Sequence, residues 1–169
     1  NFLDNGVTRG YEWYSVYGGR QDYVTYYLSG REVTVELDED YITPVSELSN
    51  LWEYNRRLLL GYLENALYGI HGQVSDALTG APVPAKISID GYDKANSNVY
   101  SDTLSGNFTR FLAPGAYDLT FTADGYRDTI VKNIIVVSGE ETKLLVKISP
   151  VLNPADTTNP DHPLFYPNP

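Results

Sequence analysis

Between residues 70 and 150 the chain breaks into short alternating runs separated by turn signals, and that rhythm limits what it can build. His71–Val74 is followed by Thr79-Gly80, and Ala85–Ile89 alternates. Ser105-Gly106 precedes Asn107–Leu112, Pro114-Gly115 precedes Tyr117–Phe121, and Gly125-Tyr126 turns again. Ile134–Val137 and Lys143–Ile148 are split by Ser138-Gly139. Successive side chains point to opposite faces of a strand, so each run offers one face to a core. About seven strands in about 80 residues is the spacing of a two-sheet β-sandwich. Phe108, Phe111, Tyr117, Phe121 and Tyr126 are expected as its core and corner residues, and His71 as a residue on a strand face.

Residues 1–69 read differently. Arg31–Leu37 alternates strictly, with Val33, Val35 and Leu37 on one face and Glu32, Thr34 and Glu36 on the other, which predicts a strand. Leu48, Leu51, Trp52, Asn55, Leu58, Leu59, Tyr62, Leu63, Ala66 and Leu67 then recur at helical spacing. Ser46 or Asn50 could cap that helix, and Gly69 ends it. Ahead of the strand, Gly10–Tyr23 is rich in Tyr and Gly, and Gly18-Gly19 suggests a loop that needs unusual backbone angles or a close approach by another group. One helix and a few strands bury too little surface to stand alone. This part is therefore expected to be the end of a larger α/β domain, and its exposed apolar faces predict self-association or a cleaved partner.

Composition removes several functions. Lys and Arg number 12 against 22 Asp and Glu, a net charge of -10, which repels phosphate backbones and argues against nucleic-acid binding. There is no Cys, so disulfides, thiolate zinc sites and a Cys nucleophile are excluded. His71 and His162 are the only histidines, and neither opens a zinc-binding spacing. No apolar run approaches the roughly 20 residues of a transmembrane helix. The chain opens on Asn1 and lacks Met, which suggests a removed leader or an excerpt of a longer protein. Residues 151–169 are Pro-rich and read as an extended linker ending in Leu164-Phe165-Tyr166. Asp38-Glu39-Asp40 reads as a solvated turn rather than a calcium loop, since no alternating ligands follow.

Taken together, residues 6–150 resemble the C-terminal third of the zinc metallocarboxypeptidases of the regulatory, carboxypeptidase N/E/D branch. The resemblance rests on Gly6-Val-Thr-Arg-Gly10, Trp13-Tyr14-Ser-Val-Tyr-Gly18-Gly19-Arg-Gln21-Asp22 and Glu32-Val-Thr-Val-Glu36-Leu37. It continues through Pro44–Leu48 and Leu51-Trp52-Glu53-Tyr-Asn55-Arg56. In the sandwich it rests on Gly72-Gln-Val74, Thr79-Gly80-Ala-Pro82, Leu112–Tyr117 and Gly125-Tyr126. It implies an α/β fragment, residues 1–69, from the end of a carboxypeptidase catalytic domain. An all-β transthyretin-like sandwich, residues 70–150, would follow.

The resemblance implies that Glu36 is the catalytic base and acid, activating a zinc-bound water and returning the proton to the leaving amine. It implies that Tyr14 closes over the bound C-terminal residue and that Gln21 floors the pocket for its side chain. Glutamine there is usual in the branch that trims C-terminal Lys or Arg. Glu32, on the same face as Glu36, is read as structural, because one base suffices. Gly30 departs from the pattern, since many animal relatives carry Cys there. The family's zinc ligands, His-x-x-Glu and a later His, and its carboxylate-gripping arginines lie ahead of the stretch seen here. Zinc is thus expected in the parent enzyme and activity is not expected of this chain alone. Peptide or protein C-termini are the implied partners.

The tail carries a second resemblance. Phe165-Tyr166-Pro-Asn-Pro169 is similar to the opening of the C-terminal sorting domain of bacterial type IX secretion cargo, implying a secreted or cell-surface bacterial protein. Asp102-Thr-Leu104 and Asp128-Thr-Ile130 resemble the short O-glycosylation pattern of the same bacteria. The competing expectation is a non-catalytic one: a sandwich spacer or adhesion module, with the first 69 residues the remnant of a pseudoenzyme.

Overall fold

The structure is a computed structural model, in which residues 6–38, 41–94 and 96–152 are described. The chain divides into two compact units, Asn1–Asn55 with Ala95–Ser97, and Arg56–Lys94 with Asn98–Pro169. The first unit holds helices α1 (Gly10–Trp13) and α2 (Arg20–Tyr27) and a 3-10 turn, Val45–Glu47. Helix α3 (Leu48–Glu64) carries the division inside it and ends in a second 3-10 turn, Asn65–Leu67. Its span holds no proline and no β-branched residue, and only Gly61 in its interior weighs against the helical backbone. Ser46 lies within the first 3-10 turn and Asn50 within α3, so neither takes the cap position expected of it. Leu51, Asn55 and Leu59 form a half-buried stripe, while Leu48, Trp52, Leu63 and Leu67 are each more than half exposed.

Two local expectations are corrected in this unit. Residues 31–38 form no strand, although their alternation is strict. A strand needs a neighbour to take its backbone N–H and C=O groups, and among the described residues every strand begins at Gly69 or later. Val33 and Leu37 accordingly stay about half exposed. The Tyr-rich stretch is also not all loop. Gly18 has the positive φ expected of it (74°), but Gly19 is extended and starts α2.

The second unit is the sandwich. Strands β1 (Gly69–Asp76), β4 (Asn107–Arg110) and β7 (Glu141–Ile148) form a three-stranded sheet in the order β4-β1-β7. Strands β2 (Lys86–Ser88), β3 (Val99–Tyr100), β5 (Gly115–Thr122) and β6 (Thr129–Val136) form a four-stranded sheet in the order β3-β2-β5-β6. Strand β1 is central, antiparallel to β4 and parallel to β7, from Gly69 opposite Glu141 to Asp76 opposite Ile148. The inner faces meet in one core that includes Ile70, Val74, Ile87, Leu119, Phe121 and Ile148, all fully buried. Phe108 and Phe121 meet edge to face at 5.6 Å across it. Tyr117 donates its hydroxyl to the Ala113 carbonyl at 2.9 Å, while Phe111 is half-buried. His71 lies on the opposite face of β1 from Ile70, with Nδ1 3.3 Å from Thr109 Oγ1.

The sandwich also buries charge. Arg110 on β4 is 2% exposed, and its guanidinium pairs with Asp93 in the loop after β2. The other Asp93 oxygen accepts the Ile89 N–H at 2.7 Å. A buried pair of this kind adds little over an apolar pair of the same shape, yet removing one partner strands the other in the core.

Two five-residue turns share one design, Asp76-Ala-Leu-Thr-Gly80 and Asp102-Thr-Leu-Ser-Gly106. In each, Asp Oδ1 accepts the N–H groups two and three residues on, and the Gly N–H returns to the Asp carbonyl. The Thr79 and Ser105 hydroxyls accept the N–H two residues later, at 3.2 Å in both. Gly80 and Gly106 have φ of 76° and 70°, a region that other residues enter at a cost. The turns lie side by side, since Val74 N–H donates to the Gly106 carbonyl and Gln73 Nε2 to that of Ser105. Gly106 is packed so closely that a Cβ would sit 2.3 Å from the Val74 oxygen, whereas Gly80 faces open space.

Asp76 is buried, and burial by itself opposes its charge. Hydrogen bonds from the Thr79 and Leu78 N–H groups and from Tyr126 Oη, 2.9 Å from Oδ2, outweigh that and hold its carboxyl below the usual aspartate range. Asp102 is exposed and also lowered, chiefly by the Ser105 hydroxyl and N–H.

A last irregularity lies on β6. Tyr117 opposes Ile134 and Leu119 opposes Val131, so Asp118 alone faces both Lys132 and Asn133, a β-bulge. Asn133 has φ 55°, and its N–H is held by Asp118 Oδ1 at 2.8 Å.

These features give three expected outcomes. Arg110→Ala should lower unfolding free energy by about 3–5 kcal/mol in denaturant melts, and the paired replacement Arg110→Met with Asp93→Asn, which strands no charge, by clearly less. Gly106→Ala should cost more than Gly80→Ala, whose φ alone is worth about 1–2 kcal/mol. The lowered folded pKa of Asp76 means its contribution is present above its unfolded value, about 3.9, and is lost as pH falls through the folded one. The loss of melting temperature from pH 5 to pH 3 should therefore be smaller in Asp76→Asn than in the parent chain.

Candidate active site

The three residues singled out from the sequence all lie in the first unit. Gln21 is the second residue of α2, whose first turn is fixed by the Tyr23 N–H donating to the Gly19 carbonyl at 3.2 Å. Gly18 turns the chain into that helix with its positive φ. The α2 start and the segment 31–38 are then joined by two side-chain contacts. Arg20 Nε donates to Glu32 Oε1 at 2.9 Å, and Thr34 Oγ1 donates to Gln21 Oε1 at 2.9 Å.

Glu32 and Thr34 thus each meet a side chain of α2, and Glu36, two residues further on, is exposed. Tyr14 follows α1 directly and is 57% exposed, its ring edge to face with Trp13 at 4.7 Å. Among the described residues no hydrogen bond or ring contact joins Tyr14 to Gln21 or Glu36.

Sequence reasoning missed two members of this arrangement, Arg20 and Thr34. The strict alternation already placed Thr34 between the two carboxylates, but the helix that reaches it was hidden. Arg20–Tyr27 has no apolar period and is rich in aromatic residues, so it carries no helical signature. Gly30 has a local reason: a Cβ there would lie 2.6 Å from Val24 Cγ1, and its N–H donates to the Val24 carbonyl at 3.0 Å.

Among the described residues no group of three His, Asp or Glu side chains could hold a metal ion. The described residues therefore do not make up a zinc site. In the acidic turn, Thr43 Oγ1 donates to Asp38 Oδ2 at 2.7 Å, and Glu39 and Asp40 lie outside the described residues, as do His162 and the Leu164–Tyr166 end. No described helix is long and apolar enough to cross a membrane.

Comparison with known proteins gives this arrangement a context. Residues 69–149 match the carboxypeptidase regulatory-like domain. The chain is 36% identical over 149 residues to Carboxypeptidase D of Rattus norvegicus, covering 88% of this chain and 10% of that protein. It is 33% identical over 153 residues to Carboxypeptidase E of Caenorhabditis elegans, covering 89% of this chain and 32% of that one. It is 36% identical over 126 residues to the Carboxypeptidase N catalytic chain of Homo sapiens, covering 75% of this chain and 27% of that one. The chain thus spans between a tenth and a third of the length of these relatives. The β-sandwich is thus a carboxypeptidase regulatory-like domain, and the chain is similar over most of its length to carboxypeptidases of the D, E and N type.

Proposed function

We propose that this chain supplies the last part of a metallocarboxypeptidase catalytic domain, residues 1–69, and its regulatory-like sandwich, residues 70–150. The protein carrying it would hydrolyse the C-terminal peptide bond of peptides or proteins, with a preference for basic C-terminal residues. The observation that carries this reading is the pair of side-chain contacts, Arg20 to Glu32 and Thr34 to Gln21, that joins the start of α2 to residues 32–34, with Glu36 exposed two residues further on. Its relatives are named carboxypeptidases, which supports the same chemistry.

In this reading Glu36 takes a proton from the attacking water as the new C–O bond forms at the scissile carbonyl. It gives a proton to the amine nitrogen as the C–N bond breaks. One carboxylate thus serves as base and then as acid, a role commonly worth about 10²–10⁴-fold in rate. Tyr14, exposed beside Trp13, would close over the bound residue, and Gln21 would floor the pocket for its side chain. The zinc expected of the parent enzyme would be held by residues outside this chain, and no step assigned to these side chains runs through it. Secretion to the cell surface by a type IX route is part of the same proposal, resting on the Tyr166-Pro-Asn-Pro169 sequence.

Glu36→Gln keeps the shape of the side chain and removes its proton affinity. In the full-length protein, turnover of peptides with a C-terminal Lys or Arg should fall by about 10²–10⁴-fold with zinc content and melting temperature unchanged. Unchanged turnover would end the catalytic reading and leave the sandwich as a spacer or adhesion module.

A further inference from the structure

We propose that Thr34 is a positioning residue that sets the direction of the Gln21 side-chain amide and, through it, the choice of C-terminal residue. The inference rests on the reading of Gln21 as the pocket floor, and deepens it. A primary amide has an acceptor edge and a donor edge, and an unrestrained one turns either toward its neighbour. Here Thr34 Oγ1 donates to Gln21 Oε1 at 2.9 Å. Threonine is stiff about χ1, so its hydroxyl is a fixed anchor rather than a swinging one.

The flanking contact keeps that anchor in reach. Arg20 and Gln21 are adjacent on the first turn of α2, and their partners Glu32 and Thr34 are two residues apart in the facing segment. The Arg20–Glu32 pair at 2.9 Å therefore holds the two backbones in register beside the Thr34–Gln21 bond. One lone pair of Oε1 is committed to Thr34. The other remains on the same fixed oxygen and can accept from a cationic side chain, which has only donors to offer. The NH₂ edge, which would repel such a side chain, is turned to the far side. The Thr34 hydroxyl thus favours a basic residue without touching it.

The test uses Thr34→Val, which removes the hydroxyl at constant shape, and Thr34→Ser, which keeps it. Gln21 and Gln73 are the only glutamines of this chain, so isotope-labelled glutamine gives two side-chain NH₂ pairs, assigned with Gln21→Ala. Thr34→Val should shift the Gln21 pair and Thr34→Ser should leave it near its original position. In the full-length protein the ratio of kcat/KM for a C-terminal Arg over a C-terminal Leu should fall about three- to tenfold in Thr34→Val and recover in Thr34→Ser. An unmoved Gln21 pair in Thr34→Val overturns the positioning role whatever the activity does. A shifted pair with an unchanged Arg-to-Leu ratio overturns its link to specificity. If the unmodified protein cleaves no C-terminal residue, the specificity claim falls with the proposed function, and the NH₂ shift still decides the positioning claim by itself.

Discussion

The parallel pairing of β1 with β7 is the constraint on which the sandwich depends. Strand β1 is the only one with a neighbour on each side in its sheet, and its inner side chains Ile70 and Val74 are fully buried. Its partner is the last strand of the domain, about 70 residues away in sequence, so the core closes only when both ends of the domain have met. Gly72 makes the close fit possible. A Cβ there would lie 2.4 Å from the Phe108 ring and 2.5 Å from the Leu144 carbonyl, between the strands on either side. The paired Asp-x-Leu-Ser/Thr-Gly turns then fasten the far end of β1, one at its own end and one just before β4.

The first unit is held by different forces. Its described helices bury no side chain fully, and its order comes from local helix formation and a few polar contacts. The apolar residues of α3 and the segment 31–37 remain as open surface of a kind that soluble domains seldom leave uncovered.

What could be read from the sequence followed the range of the physics involved. Turn signals are local, so the sandwich and most of its strands were legible, and Phe108 and Phe121 sit in the core as their alternation required. The two-residue strand β3 was not, because Val99–Tyr100 is too short to show a period. Arg110 shows the limit most clearly: its parity with Phe108 puts it on the core face, but charge argues the opposite until the distant Asp93 is known. Residues 31–37 show the converse, a flawless strand pattern with no neighbouring strand to pair with. In the site, Glu36, Tyr14 and Gln21 stood out only as members of a longer motif. The Thr34–Gln21 bond depends on a helix that has no apolar period to announce it.

The bulge at Asn133 has a bearing on how this protein behaves in a crowd. Strand β6 is eight residues long and forms one border of its sheet, with Ile130 and Ile135 exposed on it. A straight border of that length would be a template on which another chain could add a strand. The left-handed turn at Asn133, clamped by the Asp118 carboxylate, interrupts its run of free N–H and C=O groups. The bulge thereby works against copies of this sandwich joining edge to edge along β6.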